Sequence, residues 1–281
     1  MAISANATPV LFDRALLRAR QARARKQGEA TFLLDLVAED MADRLAAVNR
    51  DFADVADIWT PGEALRAPLA DRFKSVTRIA LDPDSETLSL QPESLDLAVS
   101  ALAFQFVNDL PGVLAQIRRA LRPDGLLLAA MLGGDTLNEL RQSFAYAEAE
   151  CEGGMSPRVA PFADLRDVGN LLQRAGLALP VTDLDPVVVR YDNAVALMHD
   201  LRRMGATNIL VERRRKPTRI ATMMRTWEIY AQRFSDPDGR IRATFEIVWL
   251  SAWAPHESQQ KPLRPGSAKA SLEAAVKGRK R

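Results

Sequence analysis

The sequence predicts an α/β fold: a mostly parallel sheet with helices on both faces. Three observations carry this. From Asp54 onward, short apolar runs alternate with helix-period stretches, the rhythm of consecutive strand–helix units. Leu126–Leu132 is continuously apolar, as a central strand buried on both faces requires. Arg240–Trp253 instead alternates, placing Ile241, Ala243, Phe245, Ile247 and Trp249 on one face. That suits an antiparallel edge hairpin.

The elements follow in order. Phe12 to Lys26 reads as a helix with Leu16, Leu17 and Ala24 on its apolar side, ended by Gly28. Phe32 to Val48 is a second, with Phe32, Leu33, Leu36, Val37, Met41 and Leu45 at helical spacing. Residues 1–50 are thus expected to form an N-terminal helical cap. Val55–Trp59 is a strand and Gly62–Phe73 a short helix. Val76–Leu81 and Leu95–Leu102 are the next strands. Asp109–Leu121 is an amphipathic helix closed by Arg122-Pro123-Asp124-Gly125, a strong turn signal. After Leu126–Leu132, Gly133-Gly134 stops the strand and Asp135 is placed to cap a helix running to Glu150. Asp164–Ala175 is a helix with Gly176 as terminator. Leu179–Tyr191 is strand-like, and Asn193–Met204 and Pro217–Phe234 are helices inserted before the last strand. The main domain is expected over 51–255, with the helical insertion at about 193–234. A basic, disordered tail is expected over 256–281.

Composition excludes several functions. Of 281 residues, 47% are apolar and 26% charged, enough for a sizeable core. No apolar run reaches transmembrane length, and the start lacks the pattern of a signal peptide. A cytoplasmic location is expected, with at most peripheral contact at the inner membrane. Cys151 is the sole cysteine and His199 and His256 the only histidines, too few for an ordinary zinc site. The tail carries seven Lys/Arg against two Glu, and Arg14, Arg18, Arg20, Arg23, Arg25 and Lys26 form a second basic cluster. No aromatic residues interleave with either, so both read as solvated faces and no nucleic-acid partner is expected. Arg213, Arg214, Arg215, Lys216 and Arg219 read as a solvated loop. Met223, Met224, Trp227, Tyr230 and Phe234 read as a core-facing stripe.

The stretch LDLAVSALAFQFVNDLPGVLAQIRRALRPDG, Leu95–Gly125, resembles the middle of class I S-adenosylmethionine-dependent methyltransferases, a Rossmann-like fold. Met131–Leu177, with its GGDTL and EGGMSP blocks, is similar to one subgroup. So are FDRALLRARQARA near the start, MHDLRRMGATN at Met198–Asn208 and ATFEIVWLSAWAP at Ala243–Pro255. The subgroup is the methyltransferase-like assembly factors of respiratory complex I, known in mitochondria and bacteria. A second likeness is to the malonyl carrier-protein methyltransferases of biotin synthesis. The first resemblance implies hydroxylation of an arginine in a complex I subunit, on the matrix or cytoplasmic side. The alternatives are an active small-molecule or carrier-protein methyltransferase, or a non-catalytic scaffold on the same fold.

The resemblance also implies a cofactor set: Asp57, Gly62, Asp82 and Ala101. Here the sequence departs from the family. Where an acidic residue precedes Gly-x-Gly-x-Gly, this chain reads Asp57-Ile58-Trp59-Thr60-Pro61-Gly62-Glu63. Trp59, Pro61 and Glu63 stand at the glycine positions, and Pro61 has no N–H to offer. S-adenosylmethionine is the implied cofactor, and these replacements predict weak or absent binding. Only about 30 residues separate Gly62 from Leu95, so one strand–helix unit is expected to be missing. Asp82 in LDPD can meet a ribose or simply form a turn. Gln105-Phe106 replaces a His-Trp pair frequent in the family. For the substrate, Gly133, Gly134, Asp135 and Glu139 lie at the carboxyl end of a central strand, where open α/β sheets bind ligands. The Asp135/Glu139 pair either orients an arginine side chain or simply opens a helix. No catalytic residue is assigned.

Overall fold

The computed structural model describes residues 10–260. The expected tail beyond Gln260 and the first nine residues lie outside them.

Six strands form one sheet: β1 (Val55–Ile58), β2 (Thr77–Ile79), β3 (Leu95–Ala101), β4 (Leu121–Leu132), β5 (Ala178–Tyr191) and β6 (Ile241–Trp253), in the order β2-β1-β3-β4-β6-β5. The first four run parallel. The last two pair antiparallel with each other, and β6 joins β4 antiparallel. The expected adjacency of Leu95–Leu102 and Leu126–Leu132 holds, with Val99 opposite Leu128. Between β2 and β3 lies no helix, so the expected loss of one strand–helix unit is visible as a direct connection.

Eight α-helices are described: α1 (Arg14–Gln27), α2 (Phe32–Ala46), α3 (Arg66–Ala70), α4 (Leu110–Ala120), α5 (Asn138–Glu152), α6 (Leu165–Arg174), α7 (Ala194–Arg203) and α8 (Ile220–Phe234). Side chains alternate across the sheet and feed two cores. Val99, Leu128, Phe245 and Trp249 pack with α2, α5, α7 and α8. Ala98, Leu127, Val248 and Leu250 pack with α4 and α6 on the other face. Tyr230 of the α8 stripe is fully buried and Met223, Trp227 and Phe234 pack against the same core, while Met224 alone of the five is exposed, so the stripe is core-facing as expected except at Met224.

Several expectations are corrected. Asp135 does not cap a helix. Residues 133–137 instead follow β6, with the Gly133 and Leu137 N–H groups donating to the Glu246 and Thr244 carbonyls at 2.8 and 2.7 Å. The helix starts only at Asn138, after Leu137 at φ 54°. The expected helix over Gly62–Phe73 shrinks to Arg66–Ala70. Arg122–Gly125 does not end the α4–β4 connection as a free turn. It bulges within β4, where pairing jumps from Leu95–Leu121 to Leu97–Leu126 and Asp124 takes φ 64°. Nor does order stop at Pro255, because the Gln259 amide donates to Asp124 at 2.9 Å and to the Ala254 carbonyl at 2.8 Å. The basic run is not a free loop either: Arg213 pairs with Asp13 and Arg214 with Glu152.

Candidate functional site at the carboxyl edge of the sheet

Strand order reverses between β1 and β3, the crevice where ligands of such sheets sit. Three non-glycine residues there adopt left-handed backbone: Trp59 after β1, Leu102 after β3 and Leu137 beyond β4, with φ of 59°, 48° and 54°. Such conformations are costly and concentrate at functional sites.

The loop after β1 is closed on itself. The Trp59 N–H donates to the Ile79 carbonyl at 2.9 Å, and the Thr60 N–H to Asp57 Oδ1 at 3.3 Å. Pro61 has no N–H. The Thr60 hydroxyl accepts the Ala101 N–H at 3.0 Å, and the Thr60 carbonyl accepts Arg78 at 2.8 Å. Three successive residues therefore leave no backbone donor for a ligand. Asp57 is buried, and burial pushes its carboxyl above the ordinary range, against Thr60 hydrogen bonds and the Arg78 charge. Cap helix α1 contacts the loop through Arg14. The Arg14 guanidinium stacks on the Trp59 ring and bonds Glu86 at 2.7 Å. Glu86 in turn accepts the Asn108 and Asp109 N–H groups at 2.9 and 2.7 Å. Arg14 is thus buried, not the solvated residue its basic cluster suggested.

Of the cofactor-side residues, Gly62 borders two cavities, of about 290 and 180 Å³, whereas Asp57, Asp82 and Ala101 line neither. Asp82 serves its own turn, accepting the Asp84 and Ser85 N–H groups at 3.0 and 2.8 Å. The 290 Å³ cavity runs from Gly62 and Glu63 past Leu102 and Gln105 to Leu137 and Phe245. Gln105 is buried on its wall. Its Nε2 donates to the Leu102 carbonyl, and its Oε1, itself buried, has no partner among the described residues.

On the substrate side the four expected residues separate. Asp135 is exposed. Glu139 is buried and spent on β6, accepting the Thr244 N–H at 3.1 Å and hydroxyl at 2.5 Å. The expected Asp135/Glu139 pair does not form. Its place is taken by Glu246, which the sequence reading passed over although an acidic residue inside TFEIVWL was a signal. Glu246 lies against Gly133, where an added Cβ would stand 2.3 Å from its Oε1. This contact, rather than a ligand, explains the glycine. Burial pushes Glu246 upward, as do the charges of Asp135 and Asp164, while the Asp135 and Gly134 amides oppose the shift. No group of three or more metal-binding side chains gathers among the described residues, and none of their helices is long and apolar enough to cross a membrane.

A methyltransferase domain family matches residues 63–129, beginning at the last residue of the altered loop. The human arginine-hydroxylase NDUFAF5, mitochondrial, is 35% identical over 93% of this chain and 82% of its own length. The Dictyostelium discoideum counterpart is 45% identical over 64% of this chain, a span covering 41% of that protein. A malonyl-[acyl-carrier protein] O-methyltransferase of Xylella fastidiosa is 40% identical over 61% of this chain and 56% of that one. Among solved structures, a Bacillus halodurans protein assigned as a methyltransferase shares the fold at TM-score 0.51 and 16% identity, covering 78% of this chain and 99% of that one. The fold is that of S-adenosylmethionine-dependent methyltransferases, and the chain belongs to the NDUFAF5 family of methyltransferase-like proteins.

Proposed function

We propose that the protein acts in the assembly of respiratory complex I by engaging an arginine-bearing segment of a complex I subunit at the Gly133–Asp135 edge. The observation that carries this is the placement of Asp135 and Asp164 near Glu246, whose carboxyl is raised first by burial and further by those two charges. A guanidinium entering there relieves that repulsion and offers paired, directional hydrogen bonds to a carboxylate. The relatives named for arginine hydroxylation support the choice of side chain. The setting is the cytoplasmic or matrix side, with at most peripheral membrane contact.

S-adenosylmethionine is bound weakly or not at all in this reading. The residues present do not fit a glycine cradle: the Trp59–Pro61 backbone has no free donor, and Arg14 and Trp59 close over it. No reaction step is routed through the cofactor. The similarity to carrier-protein methyltransferases keeps a second reading in view, and transfer of a labelled methyl group to a carrier-protein thioester would favour it. The test of the main reading is deletion of the gene followed by mass spectrometry of the complex I subunits. Loss of assembled complex or of an arginine modification is expected. Normal complex with unchanged arginines contradicts the assignment.

A further inference from the structure

A cavity of about 830 Å³ opens between cap helix α1, helix α5 and the inserted helix α7, adjoining the 290 Å³ cavity at Leu137, Phe162 and Arg203. Its size falls in the roughly 300–1,000 Å³ range of small-molecule sites. Five arginines line it and no acidic residue does. Two are already paired: Arg158 with Glu148, and Arg203 with Asp200 at 3.2 Å. Arg20, Arg23 and Arg202 meet no carboxylate within 4 Å among the described residues. Arg20 is half-buried and its guanidinium donates to the Asn208 carbonyl. Burial and the nearby Arg213 and Arg23 charges hold it below the ordinary arginine value. Positive charge drawn together this way, opposed at Arg20 by Asp13 alone, gains from a bound anion. The lining also includes the apolar side chains of Leu140, Phe144, Phe162, Met198 and Met223.

We propose that this cavity binds a single-chain anionic amphiphile, its acidic head on Arg20, Arg23 and Arg202 and its chain along Leu140, Phe144 and Met223. The proposal is independent of the arginine reading. The shared chemistry is an alkyl chain with a carboxylate or phosphate head.

Calorimetric titration of the full chain with dodecanoate, dodecyl phosphate and dodecanol, each below its micellar concentration, tests it. One-to-one binding of at least one anion is expected, at least tenfold tighter than dodecanol, and the tighter anion identifies the head group. Arg23 and Arg202 are exposed, so the double variant Arg23→Gln/Arg202→Gln is expected to fold normally by circular dichroism and to bind tenfold more weakly. Met223→Trp fills the apolar end and is expected to weaken whichever anion binds without altering the circular dichroism. Dodecanol binding as tightly as the anions, binding of none of the three, or unchanged anion affinity in both folded variants overturns the proposal.

Discussion

The Arg14 guanidinium lies 4.4 Å from the centre of the Trp59 ring. Through this contact the N-terminal cap covers the loop that in related folds cradles a cofactor, and the ion pair of Arg14 with Glu86 fixes it there. Glu86 also holds the amides that open α4, so one carboxylate ties cap, loop and sheet together.

Removing Arg14 leaves Glu86 buried with only amide partners. Breaking a buried pair costs about 3–5 kcal/mol, and the remaining amides place Arg14→Ala at about 3 kcal/mol. Urea denaturation of Arg14→Ala, Glu86→Ala and the double variant checks this. The double variant is expected to lose less than the sum of the singles, by about 1 kcal/mol or more. Strict additivity contradicts the coupling.

Glu86 also sets an acid limit. Burial raises its carboxyl, but the Asn108 and Asp109 amides and Arg14 outweigh burial and hold it below the ordinary value. A depressed carboxylate stabilises above its unfolded pKa, and that stability is lost as pH falls through the folded value. Glu86→Gln is therefore expected to destabilise the protein at pH 7, by a margin that narrows below about pH 4.3. Thermal unfolding across pH reads it.

Glu246 has the opposite sign. Its folded pKa is raised, so ionising it costs stability as pH rises through the ordinary carboxylate value. Glu246→Gln is expected to raise the melting temperature at pH 7 and to show little difference at pH 4. A variant less stable at both pH values contradicts the geometry around Gly133.

The two glycines of that turn differ. A Cβ at Gly133 meets Glu246 Oε1 at 2.3 Å and Val248 Cγ2 at 2.7 Å, whereas at Gly134 the nearest atom is 4.0 Å away. Gly133→Ala is expected to cost about 1–3 kcal/mol through overpacking, and Gly134→Ala to be nearly neutral. Equal effects in chemical denaturation would contradict this difference.

Much of the fold was legible because it rests on local periodicity. The continuous run Leu126–Leu132 and the alternation through Ile241–Trp249 announce a central strand and a two-faced strand without any tertiary knowledge. The site was less legible because its partners are remote. Glu86 lies 72 residues from Arg14, and Glu139 reaches across 105 residues to Thr244. Spacing on one helix paired Asp135 with Glu139, but the backbone beyond β4 follows β6 for another turn before becoming helical. That rotates Glu139 into the core. The missing donors at Trp59 and Thr60 were also invisible in sequence, where only Pro61 declares the absence of an N–H.

The central claim joins an altered cofactor loop to a retained polypeptide edge. Calorimetric titration of the purified protein with S-adenosylmethionine is expected to show no affinity tighter than about 10 μM, on the order of 7 kcal/mol. The more direct measurement is made in a strain lacking the gene and carrying Asp135→Ala. Asp135 is exposed and caps no helix, so the variant protein is expected to fold and accumulate normally. Complex I is nevertheless expected to remain unassembled or its subunit arginine unmodified. Full recovery of complex I and of the arginine modification in that strain would contradict the account.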